Sequence, residues 1–174
     1  MPATASRAWV PPAGPVTWEY VCSAPVLQEL PFKLELDRYG RILMSPASTR
    51  HGRLQFQIAR LLDSALGEAG AAVETVVRTS EGVRVPDVVW MSNEFEASVS
   101  DDAIAFETAP PICVEVMSPS NLWAEMEEKV ILYLAKGAQE VWICEPDGRL
   151  RWFGHEGERA VSVLVPDAPA TVTL

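Results

Sequence analysis

The run Ile112-Cys113-Val114-Glu115-Val116-Met117 most narrows what this chain can become. In an extended strand its side chains alternate between two faces, and both faces are apolar except at Glu115. A strand apolar on both sides belongs inside a sheet covered by helices. A second extended run, Arg84-Val85-Pro86-Asp87-Val88-Val89-Trp90, lies upstream and carries Asp87, 28 residues before Glu115. Carboxylates drawn into a sheet interior must be paired, protonated or bound to a cation, because an unpaired buried charge is too costly. Asp87 and Glu115 are therefore the first residues to ask about function.

The 174 residues suit one domain with a sizeable core, and the 48% hydrophobic fraction argues against wholesale disorder. Residues 1–16, rich in Pro and Ala, read as a loose arm, and 17–174 as a single domain. No stretch approaches the roughly 20 apolar residues of a membrane span, and the N-terminus lacks the pattern of a signal peptide. Cys22, Cys113 and Cys144 are widely spaced, and Cys113 and Cys144 lie in apolar runs, so small buried thiols in a reducing cytoplasm are expected. With two histidines and no CxxC, a structural zinc site is not expected. The formal charge of −10 is uneven: residues 1–60 hold seven basic and four acidic side chains, the remainder seven and twenty. Bulk charge thus opposes non-specific nucleic-acid binding. A local basic rim from Arg38, Arg41, Arg50, Arg53, Arg60 and Arg84 stands against scattered, solvated arginines.

Phe32–Leu36 and Arg41–Met44 flank Asp37-Arg38-Tyr39-Gly40 and predict an N-terminal hairpin. Glu35 is either an outward polar residue of its first strand or part of a site. Capping residues then open a helix whose apolar face is Leu54, Ile58, Leu61, Leu62 and Ala65. His51, near its start, either approaches a site at the sheet end or packs as a hydrogen-bonded histidine. Two strands follow, joined by a turn at Ser80-Glu81-Gly82; Pro86 marks an irregular pairing able to aim Asp87 off the strand. Residues 92–108 read as a polar loop with at most a short helix. After the Glu115 strand, Ser120 or Asn121 caps a helix with a buried stripe of Leu122, Met126, Val130, Tyr133 and Leu134, ended by Gly137. Lys129 borders that stripe; its simplest role is an exposed pair with Glu125. The C-terminal part, including Ala160–Pro166, reads as a short strand meander. The order predicts an α/β (mixed α+β) fold with a central mixed sheet flanked by helices.

Asp87 and Glu115 are too far apart for a local metal loop but suit adjacent strands. With a backbone carbonyl such as that of Val116, they would form an oxygen-rich site for Mg²⁺ or Mn²⁺. Such an ion polarises a phosphodiester and activates water, and a nearby lysine, for which Lys129 is the candidate, would stabilise developing negative charge.

From about Phe32 to Gly148 the chain resembles the Uma-type family of candidate restriction endonucleases, in the PD-(D/E)XK nuclease superfamily. The matching pieces are "ELDRYGRILMSP", "RHG", "VPDVVW", "CVEVMSPSN", "EKVILYLAKGAQEVWI" and "EPDG". The resemblance implies a restriction-endonuclease-like core, a divalent ion at Asp87 and Glu115, and phosphodiester hydrolysis, with DNA as substrate. The superfamily lysine lies two residues beyond the acidic residue, where this chain has Met117; the Uma-type pattern moves it to the following helix, at Lys129. His51 and Glu35 fall on accessory positions of the family. The competing readings are a non-catalytic binding or assembly module that retains the fold, and a hydrolase of another phosphoester. A homodimer is expected from the exposed edges of a small mixed sheet.

Overall fold

The structure is a computed structural model that describes residues 12–46, 48–67 and 69–174. Most of the expected arm, residues 1–11, lies outside the described residues. Where the description begins, the chain is already tied down: the Val16 amide donates to the Gly40 carbonyl at the hairpin turn.

Two short helices, α1 (Trp18–Ser23) and α2 (Pro25–Gln28), precede the hairpin of β1 (Phe32–Asp37) and β2 (Ile42–Pro46). Helix α3 (Thr49–Leu66) starts at Ser48, whose hydroxyl caps the His51 amide, and β3 (Gly70–Val73) follows it. Next come β4 (Val77–Thr79), β5 (Gly82–Arg84), β6 (Val88–Met91) and α4 (Asn93–Ser98), the last being the short helix allowed for in the polar loop. The chain ends with β7 (Ile112–Val116), α5 (Trp123–Ala135), β8 (Glu140–Cys144), β9 (Leu150–Gly154) and β10 (Gly157–Arg159).

Six strands form a mixed sheet in the order β10-β9-β8-β7-β6-β3. Strands β7 and β8 run parallel, joined by α5 as a crossover, and the other neighbours are antiparallel. Every residue of β7 is buried, as its two apolar faces require. Leu54, Ile58 and Leu62 of α3 cover Ile112, Val114 and Val116 on one side. Met126, Val130, Tyr133 and Leu134 of α5 cover Cys113, Val141 and Ile143 on the other. This is the helix-flanked mixed sheet that the alternation in β7 predicts. Among the described residues, no helix is long and apolar enough to cross a membrane.

The hairpin belongs to a second sheet, ordered β2-β1-β5-β4 and backed by Trp18, Val21 and Leu27 of the first two helices. Each of the two strands expected between residues 71 and 90 is in fact divided between the sheets. One breaks at Glu74, which adopts a positive φ of 51°, the other at Val85-Pro86-Asp87. Pro86 has no amide hydrogen to give a ladder, so a change of sheet costs little there.

Packing corrects four local readings. Ala65 is exposed, and Leu66 packs beside the core in its place. Leu122 is 67% exposed because it precedes α5 rather than lying in its stripe. The start of α5 is capped from within, by the Glu125 carboxylate accepting the Leu122 amide at 3.0 Å, and not by Ser120 or Asn121. Residues 160–166 take an irregular course anchored by buried Ser162 and Val165, so the meander comprises β8, β9 and β10 alone.

Candidate active site

The change of sheet beside Pro86 creates the position of Asp87. Its amide still donates to the Val114 carbonyl at 2.9 Å, but the next donor of β7, the Val116 amide, binds the Asp87 Oδ2 at 2.6 Å. The side chain thus replaces a ladder partner where β6 has yet to begin. Asp87 is 1% exposed. On its other oxygen, Oδ1, converge His51 Nε2 at 3.2 Å and the amine of Lys33 at 2.6 Å. Gln55, one turn beyond His51 on α3, reaches the Asp87 backbone carbonyl at 3.3 Å and Oδ1 at 3.4 Å.

Glu115 points from β7 toward α5, where Lys129 and Tyr133 stand one helical turn apart on the same face. Tyr133 donates its hydroxyl to Glu115 Oε1 at 2.6 Å, and the Lys129 amine lies 3.1 Å from that oxygen. The second oxygen, Oε2, faces Lys33 at 3.5 Å. Glu35 Oε1 accepts the Val85 amide at 2.8 Å and the Lys129 amine at 2.9 Å, so it holds both the sheet junction and the lysine. Lys33 also donates to the Val85 carbonyl at 3.1 Å.

The structure therefore brings together all five side chains singled out in the sequence: Asp87, Glu115, Lys129, His51 and Glu35. Lys129 is not the exposed partner of Glu125. Met117 packs against the α5-side core, and the amine comes from the helix instead. Val116, proposed for its carbonyl, lines the cleft and gives its amide to Asp87. Lys33, Tyr133 and Gln55 escaped sequence reading. Each stands at one structural repeat from a residue that did not: Lys33 two along β1 from Glu35, Tyr133 four from Lys129, Gln55 four from His51. Of the arginines that could form a basic rim, Arg84 drops out: it is 6% exposed and bound to the Leu36 carbonyl and Glu128. Arg38 and Arg41 are engaged by Glu81 and Asp37.

A cleft of about 280 Å³ opens over the cluster, with Ser118, Ser120 and Asn121 along its rim. Burial pushes the Asp87 carboxyl up, yet the His51 hydrogen bond and the Lys33 charge outweigh it and hold the group well below the usual carboxylate range. Glu115 goes the other way: burial dominates, opposed by Lys129 and Lys33 and reinforced by Asp87 and Glu35, and its pKa is raised. Burial also opposes the charge on Lys33, but Glu115, Asp87 and Glu35 more than offset it and keep the amine protonated far above the normal lysine range. Burial, then the Glu115 and Glu35 charges, keep Tyr133 a phenol donor.

Glu35, Asp87 and Glu115 against Lys33 and Lys129 leave one formal negative charge in a nearly dry site. Hard carboxylate oxygens with excess negative charge fit Mg²⁺ or Mn²⁺. Among the described residues no group of three or more His, Cys, Asp and Glu is arranged to cage a metal.

A mixed sheet with parallel central strands, an α crossover and carboxylates at the end of β7 defines the restriction-endonuclease-like fold. The chain belongs to the Uma2 family, whose model, described as "Putative restriction endonuclease", matches residues 19–174. It shares its fold with the crystal structure of "a putative nuclease belonging to DUF820 from Anabaena variabilis", at a TM-score of 0.71 and 16% identity, over 90% of this chain and 95% of that one. No curated protein matches the chain.

Proposed function

We propose that this protein is a divalent-metal-dependent nuclease that hydrolyses phosphodiester bonds in DNA. The observation that carries the reading is the meeting of Asp87, Glu115 and Lys129 in one cleft, both carboxylates almost fully buried and the amine 3.1 Å from Glu115. Asp87, Glu115 and the Val116 carbonyl would hold Mg²⁺ or Mn²⁺, which supplies Lewis acidity and a water of lowered pKa. The chain does the rest by orientation. Val116 and His51 fix the Asp87 carboxylate, Tyr133 fixes that of Glu115, and Glu35 holds Lys129 where its charge can meet the negative charge that develops on a phosphoryl group.

A cytoplasmic homodimer is part of the proposal. The three cysteines are free thiols, as a reducing compartment requires. The edge strand β2 exposes Leu43 and Met44, a surface that a second copy could cover. The acidic balance of the chain favours one competing reading, a binding or assembly module that retains the fold without catalysis. Incubation of the purified protein with Mg²⁺ or Mn²⁺ and DNA or RNA decides between them. Cleavage of DNA that EDTA stops and Asp87→Ala removes is the expected result. Cleavage that survives Asp87→Ala rejects the site, and a protein that cleaves nothing is the module.

A further inference from the structure

The oxygens of Asp87 and Glu115 are not equally available to a cation. Asp87 Oδ2 is taken by the Val116 amide, and Glu115 Oε1 by the Tyr133 hydroxyl and the Lys129 amine. Asp87 Oδ1, which also has His51 Nε2 at 3.2 Å and Gln55 at 3.4 Å, and Glu115 Oε2 are the oxygens turned toward Lys33. Lys33 Nζ stands between those two, 2.6 Å from the first and 3.5 Å from the second, with the Val85 carbonyl as a third oxygen at 3.1 Å. Its side chain is 12% exposed, so little water shares the position.

We infer that Lys33 is the resident counter-ion of the carboxylate pair and competes with the divalent ion for it. The inference rests on the metal reading above and adds a residue that reading does not need. Mg²⁺ binds oxygen at about 2.0–2.1 Å, and an ammonium cannot stay in contact with the same two oxygens beside it. Ion entry therefore displaces the Lys33 amine. The β1 backbone holds the stem in place, and the amine has the open cleft, which Lys33 itself lines, to move into. The apparent affinity for the ion is the intrinsic affinity multiplied by the fraction of molecules in which the lysine is displaced. Charge balance follows: the carboxylates never stand buried and unpaired, whichever cation they hold.

Mn²⁺ titration of the full chain, followed by electron paramagnetic resonance and calorimetry without substrate, tests this. Lys33→Met removes the charge and keeps the stem, and should bind Mn²⁺ about tenfold more tightly than the wild type, as expected if roughly one molecule in ten has the lysine displaced. Lys33→Arg keeps the charge and should bind no more tightly than the wild type. Equal or weaker binding by a folded Lys33→Met overturns the inference. If that variant does not fold, the wild type answers through the ¹⁵N resonance of Lys33 Nζ during Mg²⁺ titration. The signal should move along the calorimetric isotherm, and a resonance unchanged at saturation overturns the inference. Mn²⁺ that binds in an Asp87-dependent way while Lys33 stays put rejects this inference alone. Absence of Mn²⁺ binding by wild type and variant at millimolar ion rejects it together with the metal reading.

Discussion

Lys129 Nζ lies 3.1 Å from Glu115 Oε1, an approach made from helix α5 and not along strand β7. The residue two beyond Glu115, Met117, packs against the α5-side core, so strand β7 supplies no amine at that point. The charge arrives on a helix because β7 and α5 are consecutive and packed face to face. Lys129→Met should lower DNA cleavage by about 10²-fold or more, as loss of a charge aimed at the transition state does. Mn²⁺ affinity should change far less, since the amine is not a ligand; calorimetry beside a cleavage assay separates the two.

Tyr133→Phe removes one hydroxyl and no packing volume. The buried Glu115 oxygen then keeps Lys129 alone as its close partner. A stability loss of roughly 1.5–3 kcal/mol is expected, the range for hydrogen bonds to charged groups. Urea denaturation with an unchanged m-value is the measurement.

Asp87 links stability to pH. Its pKa is depressed in the folded protein, chiefly by His51 and Lys33 acting against burial. A depressed carboxylate contributes stability in full above its unfolded pKa of about 3.9, and the contribution is lost as pH falls toward the folded value. Asp87→Asn should therefore be less stable than the wild type by roughly 3–5 kcal/mol at neutral pH, the cost of breaking a buried pair. The gap should hold constant down to about pH 4 and narrow below it. Denaturant titrations of both proteins at several pH values would show this; a gap that widens in acid contradicts the assignment.

Glu140 provides a carboxylate with a different purpose. It is fully buried at the start of β8, and it accepts Trp142 Nε1 at 2.9 Å, Ser162 Oγ at 2.6 Å, the Val163 amide at 2.5 Å and Arg159 at 3.2 Å. Every lone pair is used on the chain itself, which makes it the anchor of the irregular segment after β10. Glu140→Gln should destabilise by roughly 3 kcal/mol and speed hydrogen exchange around residues 160–165. Mn²⁺ binding should be unaffected.

The thiols should differ in reactivity. Cys113 and Cys144 have no exposed surface, and burial raises both, Cys144 to about 12. Cys22 is half-buried, and burial raises it too. A disulfide reagent at pH 8 should modify one thiol in the native protein and three in denaturant.

Local periodicity and residue chemistry were enough for much of this. The two-faced apolar pattern of 112–117 required a covered interior strand. A lone glutamate in it required a partner, and the residues after Ser48 and before Gly137 marked two helices. Burial and spacing paired Asp87 with Glu115, resemblance supported that pair, and Lys129 joined it mainly through resemblance. What tertiary structure decided was who compensates whom. Lys33 and Glu35 look like ordinary alternating residues of a hairpin, because a strand does not reveal which sheet it will join. Only the division of 71–90 between two sheets brings β1 against the end of β7. That turns one lysine into the partner of Asp87 and gives Glu35 a hold on Lys129. The same division buried Arg84. Such charges are settled by long-range desolvation and geometry, which no local pattern encodes.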